Sequence, residues 1–92
     1  MAQVLVKLYT TLRQRLDKEQ VWVEGTTAAE AVRRVAEQGG AELLPVLFDE
    51  EGVVRNHFVI ALDSEVLDRK TLDAVKLAEG SVLHIFPPIS GG

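Results

Sequence analysis

Apolar residues fall at every second position in several stretches of this chain, and at helical spacing in one. In Val4-Leu5-Val6-Lys7-Leu8-Tyr9, Val4, Val6 and Leu8 share a face, which is the period of a strand. Gln20-Val21-Trp22-Val23-Glu24 repeats the alternation, with Trp22 opposite Val21 and Val23, and Gly25 ends it. An antiparallel return is expected there. Residues 10–19 join the two strands, and Leu12 and Leu16, four apart, predict a short helical turn over the core's edge. The main helix follows. Thr27-Ala28-Ala29-Glu30 fits a capping box, in which the threonine caps an early N–H and the glutamate reaches back. Ala28, Ala31, Val32 and Val35 form its apolar stripe, Glu30, Arg33, Arg34 and Glu37 its polar face, and Gly39-Gly40 its stop.

Beyond the helix the pattern is less regular. Leu43, Leu44, Val46 and Leu47, interrupted by Pro45, read either as a turn of helix or as an extended apolar segment. Asp49-Glu50-Glu51-Gly52 is a turn. Phe58-Val59-Ile60-Ala61-Leu62 is the third strand, and its nearly continuous apolarity predicts a central place in the sheet. Asp63-Ser64 leads into a brief pairing at Glu65-Val66-Leu67, residues 71–75 into one helical turn, and Glu79-Gly80 into the last strand. That strand runs from Ser81 to Phe86, with Leu83 and Ile85 on one face and Val82, His84 and Phe86 on the other.

The end of the chain changes the picture most. Pro87-Pro88 stops the ladder, since proline has no N–H to donate, and a proline pair favours a stiff extended segment. Ile89-Ser90-Gly91-Gly92 is therefore expected to project from the body. Two glycines without Cβ atoms thread a channel closed to any side chain. The group at the tip is the α-carboxylate of Gly92, ionised at neutral pH and inert as an acyl donor until activated. Such a tail is suited to being held and modified by another protein.

Composition narrows the classes. Ninety-two residues make one domain with one small core. A 47% apolar, 26% charged chain of formal charge −4, without a cluster of Lys and Arg, argues against nucleic acid or membrane as partner. Nothing in it suggests a leader or a membrane span, so a cytoplasmic protein is expected. Without cysteine there is no disulfide or thiolate chemistry, and with only His57 and His84 there is no histidine-rich metal site. No nucleophile–base pair or phosphate loop is visible, so no catalytic residue, metal or bound cofactor is assigned. His57 reads as a solvated edge residue and Asp49-Glu50-Glu51 as a solvated turn. Trp22 reads as half-buried packing or as an interface anchor.

Two strands, a helix, then two or three strands and a projecting end make an α+β chain: a mixed sheet of four to five strands crossed by one main helix. In that order the elements resemble the β-grasp, or ubiquitin-like, fold. Ser81-Val82-Leu83-His84-Ile85-Phe86 aligns without a gap with the STLHLV of ubiquitin, as does Gly91-Gly92 with its last two residues. Asp68, Thr71 and Leu72 match its D-G-R-T-L stretch at the same spacing. The tail departs from ubiquitin, which carries Leu-Arg-Leu-Arg where Pro87-Pro88-Ile89-Ser90 stand here. Phe86-Pro87-Pro88-Ile89-Ser90-Gly91-Gly92 instead resembles the F-P-P-V-[AS]-G-G ending of the MoaD group among the ubiquitin-like sulfur carriers (MoaD, ThiS and CysO). The Leu47-to-Gly52 turn and Glu79-Gly80 also resemble the MoaD and CysO branch, and ThiS chains are shorter.

The resemblance implies a carrier rather than an enzyme, with a body at residues 1–86 and a tail at 87–92. An E1-like adenylyltransferase of the MoeB/ThiF type would use ATP to adenylate the Gly92 carboxylate. A sulfide or persulfide donor would then leave a thiocarboxylate there. A sulfur-accepting synthase, MoaE-like if the product is molybdopterin, would take the sulfur. Gly91, Ser90, Ile89, Pro88 and Pro87 would thread the partner's channel. His84, aligned with ubiquitin's histidine on the exposed face beside Phe86, would dock the partner with it. Molybdopterin is the pathway the tail resembles most; cysteine, thiosugar, thiamine and tRNA thiolation stay open. So do conjugation to lysines of other proteins and a plain interaction module.

Overall fold

The computed structural model describes residues 2–40, 42–56 and 58–86, and of Thr10 and Thr11 the backbone alone. The expected projecting tail, its threading residues and the expected edge position of His57 lie outside the described residues.

Strand β1 (Ala2–Leu8) runs into helix α1 (Thr10–Leu16), and β2 (Gln20–Gly25) returns antiparallel beside it. Helix α2 (Ala28–Gln38) then crosses β2 and β1. A short helix α3 (Leu44–Leu47) precedes β3 (Val59–Leu62), β4 (Glu65–Val66), a 3-10 segment (Arg69–Ala74) and β5 (Val82–Phe86). The strands form one sheet in the order β2-β1-β5-β3-β4. β1 and β5 are parallel, and every other neighbouring pair is antiparallel. The β-grasp order expected from the sequence is the order observed.

Alternation decides which face each strand buries. Val4, Val6 and Leu8 of β1, Val21 and Val23 of β2, Ile60 of β3, and Leu83 and Ile85 of β5 face the helix. They pack on Ala28, Ala31, Val32, Val35 and Ala36 of α2, the predicted stripe with one alanine added. The small residues of α2 let the helix sit close to the sheet. Leu12 closes one side of this core, and Leu43, Leu47, Phe48 and Val54 close another. No polar side chain is buried among the described residues. Apolar burial therefore carries this fold.

The N-terminus of α2 is held as its sequence predicts. Thr27 Oγ1 accepts from the Glu30 N–H at 3.2 Å, and Glu30 Oε1 accepts from the Thr26 N–H at 2.7 Å. The glutamate thus reaches one residue further back than in the usual box, where it bonds the cap residue itself. Replacing Thr27 with alanine should cost about 1 kcal/mol in urea unfolding, the usual cost of a lost hydroxyl cap. Gly39 ends the helix and Gly40 turns the chain at φ 81°.

Three expectations are adjusted. The third strand begins at Val59, and it is not the centre of the sheet: β5 lies between it and β1. Its apolarity has another source, since β4 covers only a short length of its far edge while Phe58, Ile60 and Ala61 are buried. The last strand begins at Val82, because Ser81 is used in a turn, its hydroxyl bonding Ala78 N–H at 3.0 Å and Ala78 C=O at 2.7 Å. The late helical turn starts earlier than expected, at Arg69, where the Asp68 carboxylate accepts from Lys70 N–H at 2.9 Å.

Candidate functional site

β5 is flanked on both sides, so the chain leaves the middle of the sheet at Phe86 rather than a loose edge. Leu83 and Ile85 pin the strand from beneath. The intervening residues point to the face that α2 does not cover. There the registers set side chains in rows: Leu5 stands opposite Trp22 and Val82, and Lys7 opposite Gln20 and His84. Ala61 pairs with His84 and with Val66, and Val59 with Phe86.

The residues expected to dock a partner, His84 and Phe86, come together here with Tyr9. The Tyr9 and Phe86 rings stack at 4.7 Å between centroids, and His84 and Phe86 at 5.7 Å. The Tyr9 hydroxyl and His84 Nδ1 share a 2.9 Å hydrogen bond, in which the tyrosine donates when the imidazole carries its proton on Nε2. All three side chains are half-buried against one another rather than fully exposed. This cluster stands at the root of residues 87–92. Stacked aromatic pairs contribute about 0.5–1.5 kcal/mol beyond their buried area, so the cluster is preorganised before any partner arrives.

Tyr9 is the member that sequence reasoning missed. Its position in the first strand, on the face opposite Val4, Val6 and Leu8, was visible. Its meeting with Phe86 was not, because that needs the parallel pairing of β1 with β5. Trp22 is exposed rather than half-buried: it is 57% exposed, and with Val66 at 68% it is one of two exposed large hydrophobic residues among those described.

Other candidates have local explanations. The Asp49 carboxylate accepts from the N–H groups of Val53, at 3.0 Å, and Glu51, at 2.9 Å. Those bonds, Val53's first, hold its pKa below the ordinary 3.8, with Arg55 and Arg69 assisting and partial desolvation opposing. Gly52 completes this turn at φ 83°. The acidic run is thus a self-closed turn. No group of three His, Asp or Glu among the described residues is placed to hold a metal ion. Among the described residues the Tyr9 hydroxyl and His84 Nδ1 are hydrogen-bonded to each other and to no carboxylate. No helix of the described residues is long and apolar enough to cross a membrane.

A mixed sheet crossed by one helix, its central strand leading into Pro-Pro-Ile-Ser-Gly-Gly, defines a ubiquitin-like carrier. The sequence profile of the ThiS family matches residues 6–92, and the chain belongs to that family of ubiquitin-like sulfur carriers. No curated protein sequence matches it. Among solved structures it is similar to small archaeal modifier protein 1 from Methanosarcina acetivorans, with 24% identity and a TM-score of 0.81 over 100% of this chain and 98% of the other. It is similar to CysO from Mycobacterium tuberculosis, with 20% identity and a TM-score of 0.78 over 94% of this chain and 99% of the other. It is also similar to a molybdopterin converting factor subunit 1 from Pyrococcus furiosus, with 20% identity and a TM-score of 0.70 over 97% and 100%. At these identities the likeness is one of fold.

Proposed function

We propose that this chain is the sulfur carrier of molybdopterin synthesis, the small subunit that presents a C-terminal thiocarboxylate to a synthase. The observation that supports this best is the aromatic cluster of Tyr9, His84 and Phe86 at the point where the central strand leads into Pro87-Pro88-Ile89-Ser90-Gly91-Gly92. A partner that grips the open face there holds the tail's root, and the prolines limit the directions in which the tail extends.

The chemistry belongs to the partners and to one group of this chain. The Gly92 carboxylate attacks the α-phosphate of ATP in an E1-like enzyme, and pyrophosphate leaves. A sulfide or persulfide donor attacks the acyl carbon, and AMP leaves, with a separate reductant freeing the sulfur if the donor is a persulfide. The thiocarboxylate sulfur bonds to a carbon of the pterin precursor in a MoaE-like synthase, displacing an oxygen leaving group. Water then hydrolyses the acyl–sulfur bond, which leaves the sulfur on the pterin and regenerates the Gly92 carboxylate. The chain supplies docking surface and a threadable acyl group.

The test is intact mass after incubation with an E1-like enzyme, ATP and sulfide. The mass should rise by the difference between sulfur and oxygen, and an unchanged mass would count against the carrier. Phe86→Ala should weaken binding to the E1-like enzyme by roughly 30-fold, as expected for an aromatic anchor near the centre of an interface, and lower the melting temperature by several degrees as its stacking on Tyr9 and His84 is lost. Isothermal titration measures the first and calorimetry the second.

A second reading, conjugation of Gly92 to lysines, is favoured by one observation: the similar fold of a small archaeal modifier protein. Covalent adducts that appear in host extract and vanish when Gly92 is removed would support it.

A further inference from the structure

The β2 edge of the sheet carries features that the carrier reading does not use. β2 is an edge strand, six residues long, paired only with β1. Its register with β1 runs unbroken from Lys7↔Gln20 to Ala2↔Gly25, so there is no bulge. Exposed edges are commonly blunted by proline, lysine, a bulge or shortness. Gln20-Val21-Trp22-Val23-Glu24-Gly25 has none of these, whereas the opposite edge, β4, is two residues long.

Which backbone groups face outward follows from the ladder. Leu8 N–H donates to Glu19 C=O at 2.9 Å, so Leu8 and Glu19 turn their backbone groups toward each other, and every second pair of the register does so thereafter. Val21 and Val23 therefore bond to β1, while the N–H and C=O groups of Gln20, Trp22 and Glu24 point away from the sheet. No backbone partner for these groups occurs among the described residues. Beside them lies an open groove between β2 and α2, walled by Trp22, Val23, Glu24, Arg34, Glu37 and Gln38.

We propose that this edge pairs with the β2 edge of a second copy of the chain, antiparallel about a twofold axis at Trp22. The sequence is self-complementary in that register. Trp22 faces its own counterpart, and each pair of outward residues exchanges N–H and C=O bonds both ways. Gln20 of one copy stands opposite Glu24 of the other, so an amide donor meets a carboxylate twice per dimer, with no like charges opposed. Glu24 has capacity to spare: among the described residues its side chain accepts a long 3.4 Å bond from Gln3. Beside the strand the groove wall carries Arg34 and Glu37, two exposed charges of opposite sign. The sum is an isologous interface, with Val21 and Val23 of both copies continuing the core side of the joined sheet. Its small area places dissociation at roughly 10 μM to 1 mM. Phe86 lies two strands away, so the tail's root stays open in the pair.

The experiment is sedimentation equilibrium of the full chain up to about 1 mM, joined to amide exchange by NMR at low and high concentration. The expected result is a monomer–dimer equilibrium in which the amides of Gln20, Trp22 and Glu24 gain protection with concentration. Those of Val21 and Val23 should be protected throughout. Gln20→Lys should tighten the dimer and Gln20→Glu loosen it, each by roughly 2- to 30-fold, because the pair occurs twice. Trp22→Glu should leave a monomer of unchanged melting temperature, as that side chain is largely exposed. A protein that stays monomeric, or a dimer in which those three amides exchange freely, overturns the proposal. So does a dimer on which both Gln20 substitutions act alike. None of these outcomes depends on whether the chain carries sulfur.

Discussion

A chain shortened by Gly91 and Gly92 should release no pyrophosphate from ATP with its activating enzyme, yet bind that enzyme nearly as tightly as the full chain. The two functions reside in different atoms. In the proposed complex affinity would come from the sheet face around Tyr9, His84 and Phe86, where stacked rings and apolar area are available to be removed from water. Reaction needs an acyl carbon placed against the α-phosphate, and the only one proposed for it is that of Gly92. On that proposal, without the glycines the new terminal carboxylate would fall short of the nucleotide. A subtler change separates reach from fit. Gly91→Val keeps the length but adds a branched side chain where a narrow channel closes, and should lower kcat/KM by about 10²-fold, the order expected from a misplacement near 1 Å. Pyrophosphate release and titration calorimetry on the same samples distinguish the two effects. If the shortened chain is activated at the normal rate, the proposed role of the glycines is wrong.

Leu83→Ala carries the largest expected cost in stability. Leu83 is 0% exposed on the central strand, on the face that packs beneath α2. Truncating a buried leucine costs about 2–5 kcal/mol, the lost transfer energy plus the cavity left behind. Helix and strands meet closely here through small residues, Ala28, Ala31 and Ala36, which leaves few side chains able to swing into the void. For a domain of this size, a loss near 3 kcal/mol lowers the melting temperature by roughly 12–24 °C. The same substitution at Val82, which is half-buried on the open face of the same strand, should cost about 1 kcal/mol. Thermal unfolding of the pair measures the difference. Equal costs would mean that β5 is not held as the structure shows.

Much of this protein was readable before folding. The two-residue period marks Val4, Val6, Leu8, Val21, Val23, Leu83 and Ile85 as core, and each is buried. The helical stripe and its cap gave the bounds of α2 closely, because Thr27, Glu30 and the paired glycines are local signals read by local backbone groups. The irregular stretch between α2 and β3 was ambiguous for a reason. Leu43, Leu47, Phe48 and Val54 are spaced by what they meet on the core rather than by the period of one element. The brief pairing at Glu65 and Val66 was foreseen as well, but not that Val66 would stand exposed beside Ala61 on the open face.

The division follows the range of the forces. By itself the chain determined its element order, the inward faces of its strands and the resemblance of its Pro-Pro-Ile-Ser-Gly-Gly ending to the sulfur carriers, since all of these are written in neighbouring residues. Only the tertiary structure decided which strand became the centre and which edge stayed open. It also set Tyr9 against His84 and Phe86, residues more than seventy positions away in sequence. Strand partners are selected by packing summed over the whole core, and alternation within a strand is the same whichever neighbour it finds.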